Sequence, residues 1–187
     1  MLQWIKTIFW QRSQAPTVKP PRRAIALICY CQYDYFSQVL ESILQQTIFG
    51  KPFSHYYDLY IFQDGLQERH QSIHQADHSK VTQLARVSVD EQHFFLQERN
   101  LGIAKHFDFA EHYLYEAMDY PFVVFCEHDM VLGNRYLEEL TKLAILCEGD
   151  DRIGMISMHS RHYRNTSAWG TAGALGCLKQ AGSLFDH

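Results

Sequence analysis

A continuous apolar run, Ala24 to Tyr30 (AIALICY), is the feature that most constrains what this chain can fold into. A strand that is buried on both faces shows no polar alternation, and such strands belong to parallel sheets covered by helices. Phe122 to Cys126 (FVVFC) has the same character, and Tyr57 to Phe62 (YDLYIF) is a further predicted strand. Asp34 to Gln46, with Asp34 as N-cap, and Ile103 to Met118 show helical spacing between these runs. The alternation predicts an α/β fold with a mostly parallel sheet and helices on both faces.

Five less regular segments complete the predicted element order. Glu68 to Leu84 is polar and rich in His and Gln, and we expect a solvated helix with a loop there. Tyr136 to Leu146 has helical spacing. Val87 to Val89, Phe94 to Leu96 and Ile153 to Ser157 are short strand candidates.

The length and the distribution of small residues and prolines indicate the domain organisation. The 187 residues are enough for one domain with a substantial core. Three prolines before residue 24 mark a linker, so residues 1–23 are interpreted as an N-terminal segment and linker. Residues 24–157 would form the α/β domain, and residues 158–187 a C-terminal tail or the start of a truncated acceptor region. Within that tail, Gly170 to Gly176 predicts a loop or a poorly packed helix.

Composition and charge exclude several classes of function. Hydrophobic residues make up 47% and charged residues 20%, as in ordinary soluble domains. The formal net charge of −4 gives no electrostatic reason to expect nucleic acid as a partner. Five cysteines, an odd number without a secretory signal, argue against a disulfide framework. We therefore expect a cytoplasmic protein.

The first ten residues are apolar and aromatic but too few to span a bilayer, which takes roughly 20 apolar residues. We expect a short amphipathic helix that packs on the domain. Peripheral membrane contact through Trp4, Ile8, Phe9 and Trp10 is the alternative, and the protein would then be membrane-associated.

Polar side chains follow the predicted strands at the edge of the sheet where ligands collect in α/β folds. Glu127, His128 and Asp129 follow the third apolar run, and Asp64 follows the second. In an extended strand Glu127 and Asp129 point to the same side, and a divalent cation relieves the repulsion between two converging carboxylates. Oxygen ligands suit Mg²⁺ or Mn²⁺. The alternative is that Asp129 caps the next helix while Glu127 is solvated.

Four segments occur together in order: the run Ala24 to Tyr30, the ending Gln63-Asp64-Gly65, the helix opening Asn100 to His106 (NLGIAKH), and Pro121 to Asp129. This order resembles the GT-A glycosyltransferases, in particular the alpha-mannoside N-acetylglucosaminyltransferase I group and the inverting family-two type. The resemblance covers roughly residues 24–157. It implies a Rossmann-like GT-A half that binds a nucleotide sugar.

The resemblance also implies roles for individual residues. The nucleotide-sugar-binding positions it implies are Cys31, Gln32, Tyr33, Asp64, Asn100, Gly102, Lys105, Glu127 and His128. Asp64 would accept a hydrogen bond from the base, and Lys105 would counter phosphate charge. Asp129, with Glu127, would hold Mn²⁺ or Mg²⁺, and Glu127 would approach the ribose or a metal-bound water. His128 stands where the family often has a second Asp.

The implied activity is transfer of a sugar from a nucleotide diphosphate, UDP in our interpretation, to an unidentified glycan or other hydroxyl, with inversion. The catalytic base stays unassigned, and His159 is the candidate we name. A non-catalytic or truncated sugar-nucleotide-binding domain without the acceptor half is the alternative. A nucleotidyltransferase ranks last, because it needs a Gly-rich basic loop where this chain has Cys31 to Asp34.

Histidines at positions 70, 74 and 78 recur every four residues, a spacing that could chelate a metal on one helical face. A solvated polar helix is the simpler interpretation.

Overall fold

The centre of the protein is a six-stranded sheet in the computed structural model, which describes residues 22–150, 152–157 and 175–178. The strands in chain order are β1 (Arg23–Cys29), β2 (Thr47–Ile48), β3 (Lys51–Pro52), β4 (Tyr57–Gln63), β5 (Phe94–Leu96), β6 (Phe122–Glu127), β7 (Met155–Ser157) and β8 (Leu175–Leu178). The order across the sheet is β5-β4-β1-β6-β8-β7, and β2 pairs with β3 in a separate hairpin. Strands β5, β4, β1 and β6 are parallel, whereas β8 runs antiparallel to both β6 and β7.

Helices connect the parallel strands. The α-helices of the described residues are α1 (Tyr33–Leu44), α2 (Gln71–Ser88), α3 (Ile103–His112) and α4 (Tyr136–Cys147). Short 3₁₀ turns lie at Phe53–His55, Glu68–His70 and Glu91–His93, and a π-helical turn at Tyr113–Ala117 continues α3.

The two faces of the sheet carry separate cores, since successive side chains of a strand point to opposite faces. Ile25 and Leu27 of β1 pack with α1, α2 and α4. Ala24 and Ala26 lie on the other face, in the core that contains Ala110 of α3. All seven residues of β1 are buried, which explains the continuous apolar run. The predicted α/β fold, with a mostly parallel Rossmann-like sheet and helices on both faces, is confirmed.

Two local predictions that concern α1 and α2 are wrong. Val87 to Val89 is not a strand, because α2 continues to Ser88 and Val89 follows as its C-cap. Val81 and Ala85 are buried at helical spacing, and that packing keeps the segment helical against the β preference of valine. Asp34 is not an N-cap either. It lies in the first turn of α1, whose N-cap is Gln32.

The sheet uses residues beyond 157, where the predicted domain ends. Leu175–Leu178 forms β8 and lies between β6 and β7, so the prediction of a loop or helix over Gly170 to Gly176 is wrong at Leu175 and Gly176. His159 and the N-terminal segment lie outside the described residues. None of the helices that the structure describes is long and apolar enough to cross a membrane.

Candidate functional site

A cavity of about 240 Å³ opens at the carboxyl ends of the three central strands. Strand β1 contributes Cys29 and the following Tyr30, β4 is followed by Asp64, and β6 contributes Glu127. The first turn of α3 closes the cavity with His106.

The topology explains the position of this cavity. The chain leaves β1 toward α1 on one face of the sheet, whereas it enters β6 from α3 on the other face. The connections therefore diverge between β1 and β6 and leave a crevice at their carboxyl ends, the usual ligand position in such sheets.

Asp64 is buried, 5% exposed, and its carboxylate accepts four hydrogen bonds from the protein. Oδ1 accepts from the backbone amides of Gly65 (2.9 Å) and Leu101 (2.8 Å). Oδ2 accepts from the Gly102 amide (3.0 Å) and from Nδ2 of Asn100 (2.9 Å). A carboxylate has about four lone-pair positions, so none is left for the base contact that the resemblance implies.

The other polar side chains on this side of the cavity also bond to one another. Asn100 donates to the Gly65 carbonyl (2.9 Å) and accepts from Nε2 of Gln67 (2.9 Å). The Tyr30 hydroxyl accepts a hydrogen bond from the backbone amide of Gln67 (3.1 Å) and forms another with Nδ1 of His70 (3.1 Å). These side chains form a fixed wall of the cavity.

His106 is the functional candidate that the implied positions did not include. Its side chain lines the cavity, the residue is only 1% exposed, and Nε2 has no hydrogen-bond partner within the described part of the chain. Burial lowers the pKa of His106, against the opposing charge of Asp64, so the ring is neutral at pH 7. The sequence could have indicated His106, because it lies four residues before the buried Ala110. A histidine on the inward face of a helix needs a hydrogen-bond partner.

The acidic motif is a turn and not an extended strand. Glu127 ends β6, and the Met130 amide donates to the Glu127 carbonyl (3.1 Å), so His128 and Asp129 occupy the middle of the turn. Burial raises the pKa of Glu127, and the charge of Asp129 raises it further. The two carboxylates therefore interact electrostatically, although the extended geometry assumed for them is wrong.

His128 connects the acidic turn to the loop after β1. Its Nε2 donates to Oε1 of Gln32 (2.6 Å). Burial lowers the pKa of His128 and outweighs the charge of Asp129 and a hydrogen bond with the Ile28 backbone. The imidazole is thus neutral at pH 7 and holds the loop and the turn together.

The remaining implied positions lie around the cavity without lining it. Cys31 is buried, and burial followed by the charge of Asp77 raises the pKa of its thiol. Tyr33 is half-buried, with the Lys80 ammonium 5.7 Å from its ring centre. Lys105 and Asp129 are exposed. The cavity therefore brings Asp64, Asn100, Gly102, Glu127 and His128 together, whereas these four residues and Gln32 do not line it.

His70, His74 and His78 do not form a metal cluster with the other described residues. His78 Nε2 donates to the Asp64 carbonyl (2.9 Å), and His70 bonds to Tyr30. Across the residues that the structure describes, no three His, Cys, Asp or Glu side chains are arranged to hold a metal ion. A cation at Glu127 and Asp129 would take its other ligands from substrate phosphates and water, the usual arrangement for Mg²⁺.

No family model matches the chain, and no curated protein matches it significantly. Among solved structures, a cytidylyltransferase from Leptospira borgpetersenii serovar Hardjo-bovis has a TM-score of 0.48 and 10% identity, covering 85% of this chain and 61% of that one. Residues 1–349 of Staphylococcus aureus TarS give a TM-score of 0.46 and 18% identity over 79% of this chain and 38% of theirs. The apo glycosyltransferase GlyE of Streptococcus pneumoniae gives 0.43 and 15% over 85% and 34%. The chain thus spans less than two thirds of each, and similarity of this degree does not identify a function.

Proposed function

We propose that the cavity binds a nucleotide-diphosphate sugar, with UDP as the nucleotide, and that the chain takes part in glycosyl transfer to a glycan or other hydroxyl. One observation carries the proposal. Most polar side chains of the cavity bond to one another, whereas Nε2 of His106 is buried without a partner in the described part of the chain. A buried nitrogen without a hydrogen-bond partner is costly, and a group of the ligand would supply that partner.

Glu127 and Asp129 fit a hard divalent cation, Mn²⁺ or Mg²⁺. Burial and the charge of the neighbouring Asp129 raise the pKa of Glu127, and a cation would offset the repulsion between the two carboxylates. Bound there, the ion would stabilise the negative charge on the departing diphosphate. Lys105, exposed in the first turn of α3, can contribute a second positive charge.

A neutral His106 supports binding of an uncharged part of the donor. Its imidazole can donate or accept one hydrogen bond at Nε2, according to tautomer. A nucleobase or a sugar hydroxyl offers both kinds of group, whereas a phosphate offers acceptors. We therefore assign the nucleoside or sugar of the donor to the His106 side and the diphosphate to the Glu127 and Asp129 side.

A non-catalytic or truncated donor-binding domain is the second candidate. Among the described residues that line the cavity, Glu127 and Asp64 are the carboxylates, and Asp64 is fully engaged. An inverting transferase needs a base besides its metal ligand. Turnover of a UDP-sugar separates the two candidates, because binding without hydrolysis or transfer favours the second.

Calorimetry with UDP and Mn²⁺ tests the proposal. We expect Asp129→Ala to weaken Mn²⁺-dependent UDP binding by about tenfold or more, which is about 1.4 kcal/mol. Asp90→Ala is the matched control, because Asp90 precedes β5 at the opposite edge of the parallel sheet. Equal UDP binding by the wild type and Asp129→Ala would contradict the metal site, and no UDP binding by the wild type would contradict the whole proposal.

A further inference from the structure

Donors of the protein itself occupy all the hydrogen-bond acceptor positions of the Asp64 carboxylate. Its two oxygens accept from three backbone amides and one side-chain amide, at 2.8 to 3.0 Å. We propose that Asp64 is a positioning residue that holds the segment from Arg99 to Gly102 against the end of β4 and does not touch the nucleotide. This inference rests on the proposed function of the cavity and assigns Asp64 a different task from a base contact.

The segment held by Asp64 leads directly into the first turn of α3. The Gly102 amide donates to Asp64, and the Gly102 carbonyl accepts the His106 amide (3.0 Å). Gly102 has φ +78°, a left-handed conformation that glycine adopts without strain. Asp64 therefore fixes the start of α3, and with it the position of the His106 ring.

Gly65 provides a second, independent contact with the same segment. A Cβ at Gly65 would lie 2.3 Å from the backbone carbonyl carbon of Arg99 and 2.6 Å from its oxygen. Real Cβ atoms do not approach backbone this closely, so the segment packs against a position that only glycine can occupy. The hydrogen bonds of Asp64 and the close packing against Gly65 thus hold the same segment, Arg99 to Gly102.

Gln63 performs the equivalent task for the loop after β1 and for α2. The side chain is fully buried, and Nε2 donates to the carbonyls of Tyr30 (3.1 Å) and His78 (3.0 Å). Its Oε1 accepts from the Thr82 hydroxyl (2.8 Å). The pair Gln63-Asp64 therefore ties the end of β4 to the loop after β1, to α2 and to the start of α3.

Asp64→Asn tests the inference. The amide offers one oxygen and presents N–H donors to backbone N–H groups, so at least two of the four bonds are lost. In the nucleotide-free protein, we expect amide hydrogen exchange at Leu101 and Gly102 to accelerate by about tenfold or more, with β1 and β6 unchanged. Affinities for UDP and CDP should fall by the same factor, since no base contact is removed.

Two outcomes would overturn the inference. Unchanged exchange at Leu101 and Gly102 would show that Asp64 does not hold the segment, and a selective loss of UDP over CDP would show a base contact. Asp58→Asn is the matched control, because Asp58 lies at the other end of β4 and bonds Arg22 and Tyr120. It should leave the exchange of Leu101 and Gly102 and the nucleotide affinities unchanged.

Gly65→Ala displaces the segment from Arg99 to Gly102 without altering the Asp64 side chain. This variant tests the inference if Asp64→Asn fails to fold. It should reproduce the faster exchange and the equal loss of UDP and CDP affinity. Gly133→Ala is its control, because a Cβ at Gly133 meets no atom within 4 Å. Gly65→Ala with wild-type exchange would overturn the inference. If the wild type binds neither nucleotide, the proposed function fails, while the exchange measurements still decide the task of Asp64.

Discussion

At the scale of single residues, several buried polar side chains serve to fasten distant segments. Glu138 of α4 is an example, because its carboxylate accepts from the Phe49 amide (3.0 Å), from Arg135 (2.5 Å) and from Lys142 (2.8 Å). Burial raises the pKa of Glu138, but the bonds from Lys142, Arg135 and Phe49 more than offset this and hold the pKa at about 2. The turn between β2 and β3 is thereby fixed to α4.

The depressed pKa predicts a pH dependence. The ionised Glu138 stabilises the fold above its ordinary pKa of 4.5, and this contribution is lost as the pH falls toward about 2. We expect Glu138→Gln to lower the free energy of unfolding at pH 7 by about 1–3 kcal/mol. The difference from the wild type should shrink below pH 4.5, which urea denaturation at several pH values would measure.

Glu139→Gln is the control for this measurement. Glu139 also pairs with Arg135 and Lys142, but its side chain is 45% exposed. Exposed ion pairs contribute little, so this variant should stay within about 0.5 kcal/mol of the wild type. A pH-independent difference between Glu138→Gln and the wild type would contradict the assigned ionisation.

At the scale of elements, α1 holds the segment that leads from the acidic turn to α4. Gln46, just after α1, donates to the Gly133 carbonyl (3.0 Å) and accepts from the Leu137 amide (3.1 Å). Ser42 accepts from the Leu132 amide (3.0 Å). The first turn of α4 is therefore capped by a residue about 90 positions earlier in the chain.

Removing that cap should destabilise the protein. Gln46 is buried, so Gln46→Ala leaves the Leu137 amide without its acceptor, at an expected cost of about 1–3 kcal/mol in the free energy of unfolding. Gln45→Ala is the matched control, because Gln45 is exposed and its side chain bonds Glu41 at 2.9 Å. Thermal unfolding measures both, and equal melting temperatures for the two variants would contradict the capping role.

The elements also show how much of the fold and of the site could be predicted from the sequence alone. Strands β1, β4 and β6 could be predicted because burial on both faces makes most of their residues apolar, with Asp58 near the start of β4 as an exception. The role of Asp64 could not, since its carboxylate is satisfied by the Leu101 and Gly102 amides, which are far away in the chain. Strand β8 gives no periodic signal, because its four residues (LGCL) are too few to show one and its pairing with β6 and β7 is made by backbone groups.

At the scale of the whole molecule, the sheet depends on β8, the last strand among the described residues. Strand β8 pairs with β6 on one side and with β7 on the other, and β7 has no other partner among the described strands. Without β8, β6 becomes an open edge of the sheet, and unpaired edges favour aggregation.

Truncation tests this dependence. A chain that ends at residue 157 keeps β7 but loses β8, and we expect a lower melting temperature and concentration-dependent aggregation in light scattering. A chain that ends at residue 180 keeps β8 and is the control. If both truncated chains unfold at the same temperature and stay monomeric, β8 does not stabilise the sheet.

The late position of β8 has a consequence for synthesis. The ribosome synthesises β6 about 50 residues before β8, so the side of β6 that pairs with β8 has no partner in the nascent chain during that interval. At roughly 5–20 residues per second, that interval lasts several seconds, long enough for a chaperone to bind or for neighbouring nascent chains to associate. We therefore expect the productive yield in a cell to depend on the speed of translation between β6 and β8.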